Sequence, residues 1–143
     1  MGRRGKKKAS PSPLPSPRVR GEGGRRAFAL RGRVWVEVGG AAALTEPGAD
    51  LLEQIAACGS LSEAARRLRF SYRRAWMLVD VMNQRWPGPL VTTAVGGKHG
   101  GGTRVTELGE VVLRSYRDLQ IQVEHALDAG QAGFARAVRS VSP

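Results

Sequence analysis

Residues 59–76 read GSLSEAARRLRFSYRRAW, and two helix starts fall within that stretch. Ser60 and Glu63 have the S-x-x-E spacing of a capping box, in which serine and glutamate side chains satisfy backbone N–H groups that a first turn leaves free. The spacing predicts a helix from Leu61, with Leu61, Ala64, Ala65 and Leu68 on one apolar stripe and Arg66 and Arg67 opposite. Two alanines on that stripe let another helix cross closely. After the break Arg69-Phe70-Ser71, Ser71 is suited to cap a second helix. Counting about 100° per residue puts Tyr72, Ala75, Trp76, Val79, Met82 and Trp86 on one side. Arg73, Arg74, Met77, Val81, Gln84 and Arg85 fall on the other, and Pro87-Gly88-Pro89 ends the helix. Two short helices with a tight break, the second showing arginines near its start, outline a helix-turn-helix.

Upstream, RVWVEV at 33–38 alternates Val34, Val36 and Val38 with Arg33, Trp35 and Glu37, the period of a strand stopped by Gly39-Gly40. A loop through Pro47-Gly48 is expected next. A helix over 49–58 then carries Leu51, Leu52, Ile55 and Ala56 and ends at Gly59, suited to a left-handed cap. Downstream, PLVTTAV and TRVT flank the run GGKHGGG at 96–102, which reads as a β-hairpin with a glycine tip. Thr106 can cap a long helix in which Leu108, Val112, Tyr116, Leu119, Val123 and Leu127 recur every three or four residues. That stripe exceeds what the small core can cover. Val112, Tyr116, Leu119, Val123 and Leu127 are therefore assigned to a helix–helix contact between two copies. Gly130 and Gly133 are expected to end the helix. The fold expected is mainly α, a winged helix-turn-helix over 31–128 with a β-hairpin wing and a long C-terminal helix, followed by a flexible tail over 129–143.

The 143 residues, 41% hydrophobic, suffice for one domain. No apolar run approaches the roughly 20 residues that cross a bilayer, so no membrane partner is expected. MGRRGKKKAS lacks the apolar segment of a secretory signal, and a single cysteine, Cys58, fits a reducing, cytoplasmic setting. Residues 1–33 hold eleven Lys or Arg and one acid, a net of +10 within the total of +11. The excess thus lies in a Pro/Ser/Gly/Arg-rich leader, assigned to 1–30, too poor in apolar surface to fold. It could grip any polyanion or be merely solvated. The next methionine after Met1 is Met77, so a shorter product needs another start codon.

The glycine run fails as a P-loop: Thr92 stands at the first glycine position, and His99 follows Lys98's glycine-lysine pair in place of a hydroxyl. It fails as a dinucleotide fingerprint because Val105 takes the last glycine position. Cys58, His99 and His125 are isolated from one another, so no metal or cofactor is expected, and nothing forms an acid–base pair or activated nucleophile. Alone, the loop reads by default as a floppy turn with incidental lysine and histidine. Beside an arginine-bearing helix-turn-helix it reads as a wing whose amides, Lys98, His99 and Arg104 meet backbone phosphate. Arg73 and Arg74 open the second helix on its solvent side, where guanidinium groups can pair with guanine, and Met77 shares that side. Ser71 can both cap and meet phosphate; Tyr72 is either a phosphate contact or a core residue with a wet hydroxyl. Arg66, Arg67 and Arg69 are backbone-positioning or merely solvated. Trp76 and Trp86 are read as core.

The order GSLSEAARRLRFSYRRAWMLVDVMN, PLV, GGKHGGG, TRVTELGE resembles the DNA-binding domain of ModE-type molybdate-responsive transcriptional regulators, a winged branch akin to the LysR type. The resemblance runs from about Arg31 to Leu119. Its most specific parts are S-Y-x-x-A-W at Ser71, Tyr72, Ala75 and Trp76, and the basic wing tip. It implies a homodimer on a palindromic operator in double-stranded DNA near molybdenum-related genes. Members of that family carry C-terminal oxyanion-binding modules, and this chain ends where those would begin, so molybdate is not expected to bind the chain itself. Two rival readings are an adaptor whose basic helix docks an acidic protein, and sequence-blind nucleic-acid binding through the leader.

Overall fold

The computed structural model describes residues 27–94 and 102–141. Lys98, His99 and most of the leader lie outside the described residues.

Strand β1 (Val36–Val38) turns at Gly39-Gly40 into an antiparallel strand β2 (Ala41–Leu44). Both glycines hold positive φ, +62° and +77°, which a two-residue type I′ hairpin loop demands. The glycine pair therefore turns the chain back, and β2 stands where the sequence suggests a loop. Three alanines carry little strand propensity; the turn and the pairing of Val38 with Ala41 and Val36 with Leu44 supply what they lack.

Helix α1 (Glu46–Cys58) also starts earlier than expected, taking Pro47 and Gly48 into its first turn. Proline suits that position because its missing N–H has no partner there anyway. Gly48 is buried, and a side chain there would press on Leu44 and on the Met82 sulfur, each 3.3 Å from the place of a Cβ. Leu51, Leu52 and Ile55 are buried as their spacing predicts, while Ala56 is exposed. Gly59, at φ +65°, closes the helix with its N–H on the Ile55 carbonyl at 2.8 Å.

The deciding stretch folds as read. Helix α2 (Leu61–Leu68) is capped by Ser60, whose Oγ accepts from the Glu63 N–H at 3.2 Å. Arg69 turns the chain in the left-handed region, φ +57°, and the Phe70 N–H donates to the Ala65 carbonyl at 2.9 Å. Helix α3 (Tyr72–Arg85) is capped by Ser71, whose Oγ accepts from the Arg74 N–H at 3.1 Å. Strands β3 (Val91–Thr93) and β4 (Thr103–Val105) then pair antiparallel, Thr92 opposite Arg104, and form the base of a wing. The Thr103 N–H reaches the Gly59 carbonyl at 2.9 Å and ties the wing to the α1–α2 turn.

Helix α4 (Glu107–Val141) runs through Gly130 and Gly133, which correct the expected stop and the expected tail from 129. A glycine inside a helix costs about 1 kcal/mol relative to alanine, a penalty that packing can offset. Here Phe28 meets Phe134 edge-on, centroids 5.6 Å apart, and Ala135 is buried. Residues 27–30, assigned by composition to the leader, thus lie against α4. Leu44, Leu51, Leu52, Ile55, Met82, Leu90 and Tyr116 fill the core.

Tyr116 is 1% exposed and donates its hydroxyl to the Val34 carbonyl at 2.7 Å; burial pushes its pKa up. Val112 is also buried. Both therefore pack within their own protomer, correcting their assignment to a contact between copies. Val123 and Leu127 are half-buried against Gly32, so the extended N-terminal segment covers part of that stripe. Leu119 remains exposed. Arg117, held by Asp50 at 2.7 Å and Glu53 at 2.9 Å, joins α4 to α1, and the hydrogen bonds it donates to Glu53 lead in raising its pKa.

Candidate nucleic-acid interface

Helix α3 buries Ala75, Val79 and Met82, and its opposite face carries Arg73, Met77, Asp80 and Gln84 in the open. The cap at Ser71 fixes where that face begins. The Arg73 side chain has no hydrogen bond or ion pair among the described residues. Arg74 lies with its guanidinium carbon 4.1 Å from the Phe70 ring centroid, a cation–π contact that leaves the side chain exposed. Among the described residues neither arginine pairs with a carboxylate, and both are exposed.

Two aromatic expectations change. Tyr72 is 55% exposed, which removes the core alternative. Trp76, read as core, is 41% exposed and stands edge-on to Tyr72, centroids 6.2 Å apart. Its angular position is at the rim of the buried arc, where the ring packs sideways against its neighbour one turn back instead of inward. Trp86 is half-buried as read, with its Nε1 donating to the Ala43 carbonyl at 3.4 Å.

Arg66 and Arg67 are exposed but not free. The Glu63 carboxylate accepts from Arg66 Nη2 at 2.6 Å and Nε at 2.9 Å, and from Arg67 Nε at 3.2 Å. Hydrogen bonding from Arg66, then from Arg67, lowers the Glu63 pKa from 4.5 to about 2. Glu63 thus serves its neighbours' charges, whereas a full capping box would send it back to Ser60. The pairings are at i,i+3 and i,i+4, a spacing visible in the sequence.

A residue the sequence reading passed over sets the wing's angle. Asn83 Oδ1 accepts from the N–H groups of Leu90 and Val91 at 2.9 and 3.0 Å, and its Nδ2 donates to the Val91 carbonyl at 2.9 Å. An asparagine late in a helix, just before Pro-Gly-Pro, is the available signal for such a clamp. Thr106, between β4 and α4, ties the other side, donating to the Pro89 carbonyl at 2.7 Å and accepting from the Gly109 N–H at 3.0 Å. Arg104 is exposed on β4. Among the described residues no group of three or more His, Cys, Asp or Glu could hold a metal ion, and no helix is long and apolar enough to cross a membrane.

No family model matches the chain. It is 42% identical over 86 residues to the molybdenum transport protein ModE of Azotobacter vinelandii, covering 60% of this chain and 32% of that protein. It is 42% identical over 76 residues to the transcriptional regulator ModE of Haemophilus influenzae, covering 53% and 30%. The DNA-binding transcriptional dual regulator ModE of Escherichia coli is 40% identical over 74 residues, covering 52% and 28%. The chain spans about a third of the length of these relatives. A MarR family protein from Bacillus stearothermophilus superimposes with a TM-score of 0.43 at 24% identity, covering 68% of this chain and 72% of that one. At that score the fold stands on the elements described above. Over the stretch they share, a little more than half of its length, this chain is a homologue of the ModE-type transcriptional regulators.

Proposed function

We propose that the chain is a sequence-specific DNA-binding regulator, acting as a cytoplasmic homodimer on a two-fold operator near genes of molybdenum handling. The observation that carries this reading is Arg73: exposed, its side chain unpaired among the described residues, and two residues after the Ser71 cap of α3. A helix entering the major groove presents its first turns to base edges, and a free guanidinium can donate twice to guanine O6 and N7. Arg74 and Tyr72 flank Arg73 toward the phosphates, and the α3 N-terminus favours an anion there. Arg104, with Lys98 and His99 at the wing tip, would meet the adjoining backbone. Ser71 keeps its hydroxyl on its own helix and contributes chiefly as a cap. Dimerisation would use the exposed part of α4 around Leu119, with half-sites about 34 Å apart.

Selecting bound sequences from a random duplex pool tests the reading. The expected product is a motif with two-fold symmetry, whose preference relaxes when Arg73 is changed to alanine. Binding that survives this change but vanishes on deletion of residues 1–26 would instead identify the leader as a sequence-blind grip. Capture of an acidic protein with no duplex bound at low salt would support an adaptor.

A further inference from the structure

Met77 is 60% exposed, on a helix face that also carries Arg73 four residues earlier. Val81, four residues later, is exposed as well. Solvent gives this apolar surface no reason to be there. It sits among charges that suit a polyanion: α3 holds three arginines and one acid, Asp80. Resting on the regulator reading, we infer that Met77 is a specificity-determining residue that packs on the 5-methyl group of a thymine close to the base pair contacted by Arg73.

The chemistry is that of the major groove. Of the four bases, thymine alone presents a methyl group there, and apolar side chains recognise it by contact. Residues four apart lie one above the other along a helix, so Met77 follows Arg73 along the same face. A flexible thioether adapts its shape to such a target. Arg73 would then report a guanine and Met77 a thymine, giving a two-part code from one face.

The test uses the full chain and the duplex selected from the random pool. Each thymine is replaced in turn by deoxyuridine, which removes the methyl group and keeps the base pairing. The wild type should lose about fourfold in affinity at one thymine per half-site, roughly the worth of one buried methyl. Met77→Ala should bind the thymine and uracil duplexes equally. Because Met77 is exposed, that variant should keep the thermal stability of the wild type. Equal affinity of the wild type for thymine and uracil at every position overturns the inference while leaving the regulator reading intact. So does a Met77→Ala variant that still discriminates. A chain that selects no duplex overturns both.

Discussion

Helices α2 and α3 are built alike and present opposite surfaces. Each begins at a serine whose Oγ accepts the N–H three residues on, and each carries two adjacent arginines. The difference lies in the residue that precedes those arginines by three and four positions. On α2 it is Glu63, which binds both Arg66 and Arg67. Before α3 it is Phe70, whose ring face receives Arg74 and leaves Arg73 untouched. An aromatic face holds a guanidinium without cancelling its charge or occupying its N–H donors in plane. Counting arginines therefore overstates what α2 offers to a polyanion and not what α3 offers.

The largest effect should come from removing the free member of the four. Arg73→Ala is expected to cost about 1–3 kcal/mol of discrimination at one base pair, about fivefold or more, read by comparing affinity for the selected duplex with single-base variants. The double change Arg66→Ala with Arg67→Ala should leave that discrimination unaltered. If the α2 pair proves as costly as Arg73, the contrast between the helices is broken.

A second measurement uses what the helices share. Ser60→Ala and Ser71→Ala each remove an N-cap, worth typically about 1 kcal/mol, and each should lower the midpoint of thermal unfolding by roughly 4–8 °C. Only Ser71→Ala should also weaken duplex binding, since only its helix presents Arg73. Equal losses of binding from both would make the caps, and not the arginines, the source of the difference.

How much of this was legible depended on whether the signal was local. Ser60, Ser71 and Gly59 act on atoms within four residues, so the C-terminal end of α1 and the starts of α2 and α3 follow from the chain itself. Strand β2 does not, because AAAL becomes a strand only through pairing that the Gly39-Gly40 turn brings about. The length of α4 likewise depends on Phe28, over a hundred residues away, and the fate of Tyr116 on the Val34 carbonyl. For the interface, the outward placement of Arg73 followed from helical angle alone. Trp76 was misplaced because angle cannot say how wide the buried arc is. The capture of Arg66 and Arg67 was in plain view at i,i+3 and i,i+4, but the same glutamate also fitted a capping box, and only the folded geometry decides between the two.

The smallest effects sharpen the contrast most, because they alter Glu63 alone. Glu63→Gln leaves the α2 backbone and its Ser60 cap in place and withdraws one negative charge. Two guanidinium groups are then free to approach phosphate. Each phosphate neutralised steepens the dependence of log affinity on log salt by about 0.9, so the slope should steepen by at most about 1.8. Base discrimination should not change. Acid offers the same release without mutation, and the sign can be stated. Glu63 has a lowered pKa, so its contribution is fully present above 4.5 and fades only as pH falls toward about 2. Between pH 7 and pH 5 the difference in salt slope between the wild type and Glu63→Gln should therefore stay constant. A wild-type slope that rises to the variant's value by pH 5 would mean that Glu63 does not hold Arg66 and Arg67 in solution. The two helices would then differ only in which face of each meets the duplex.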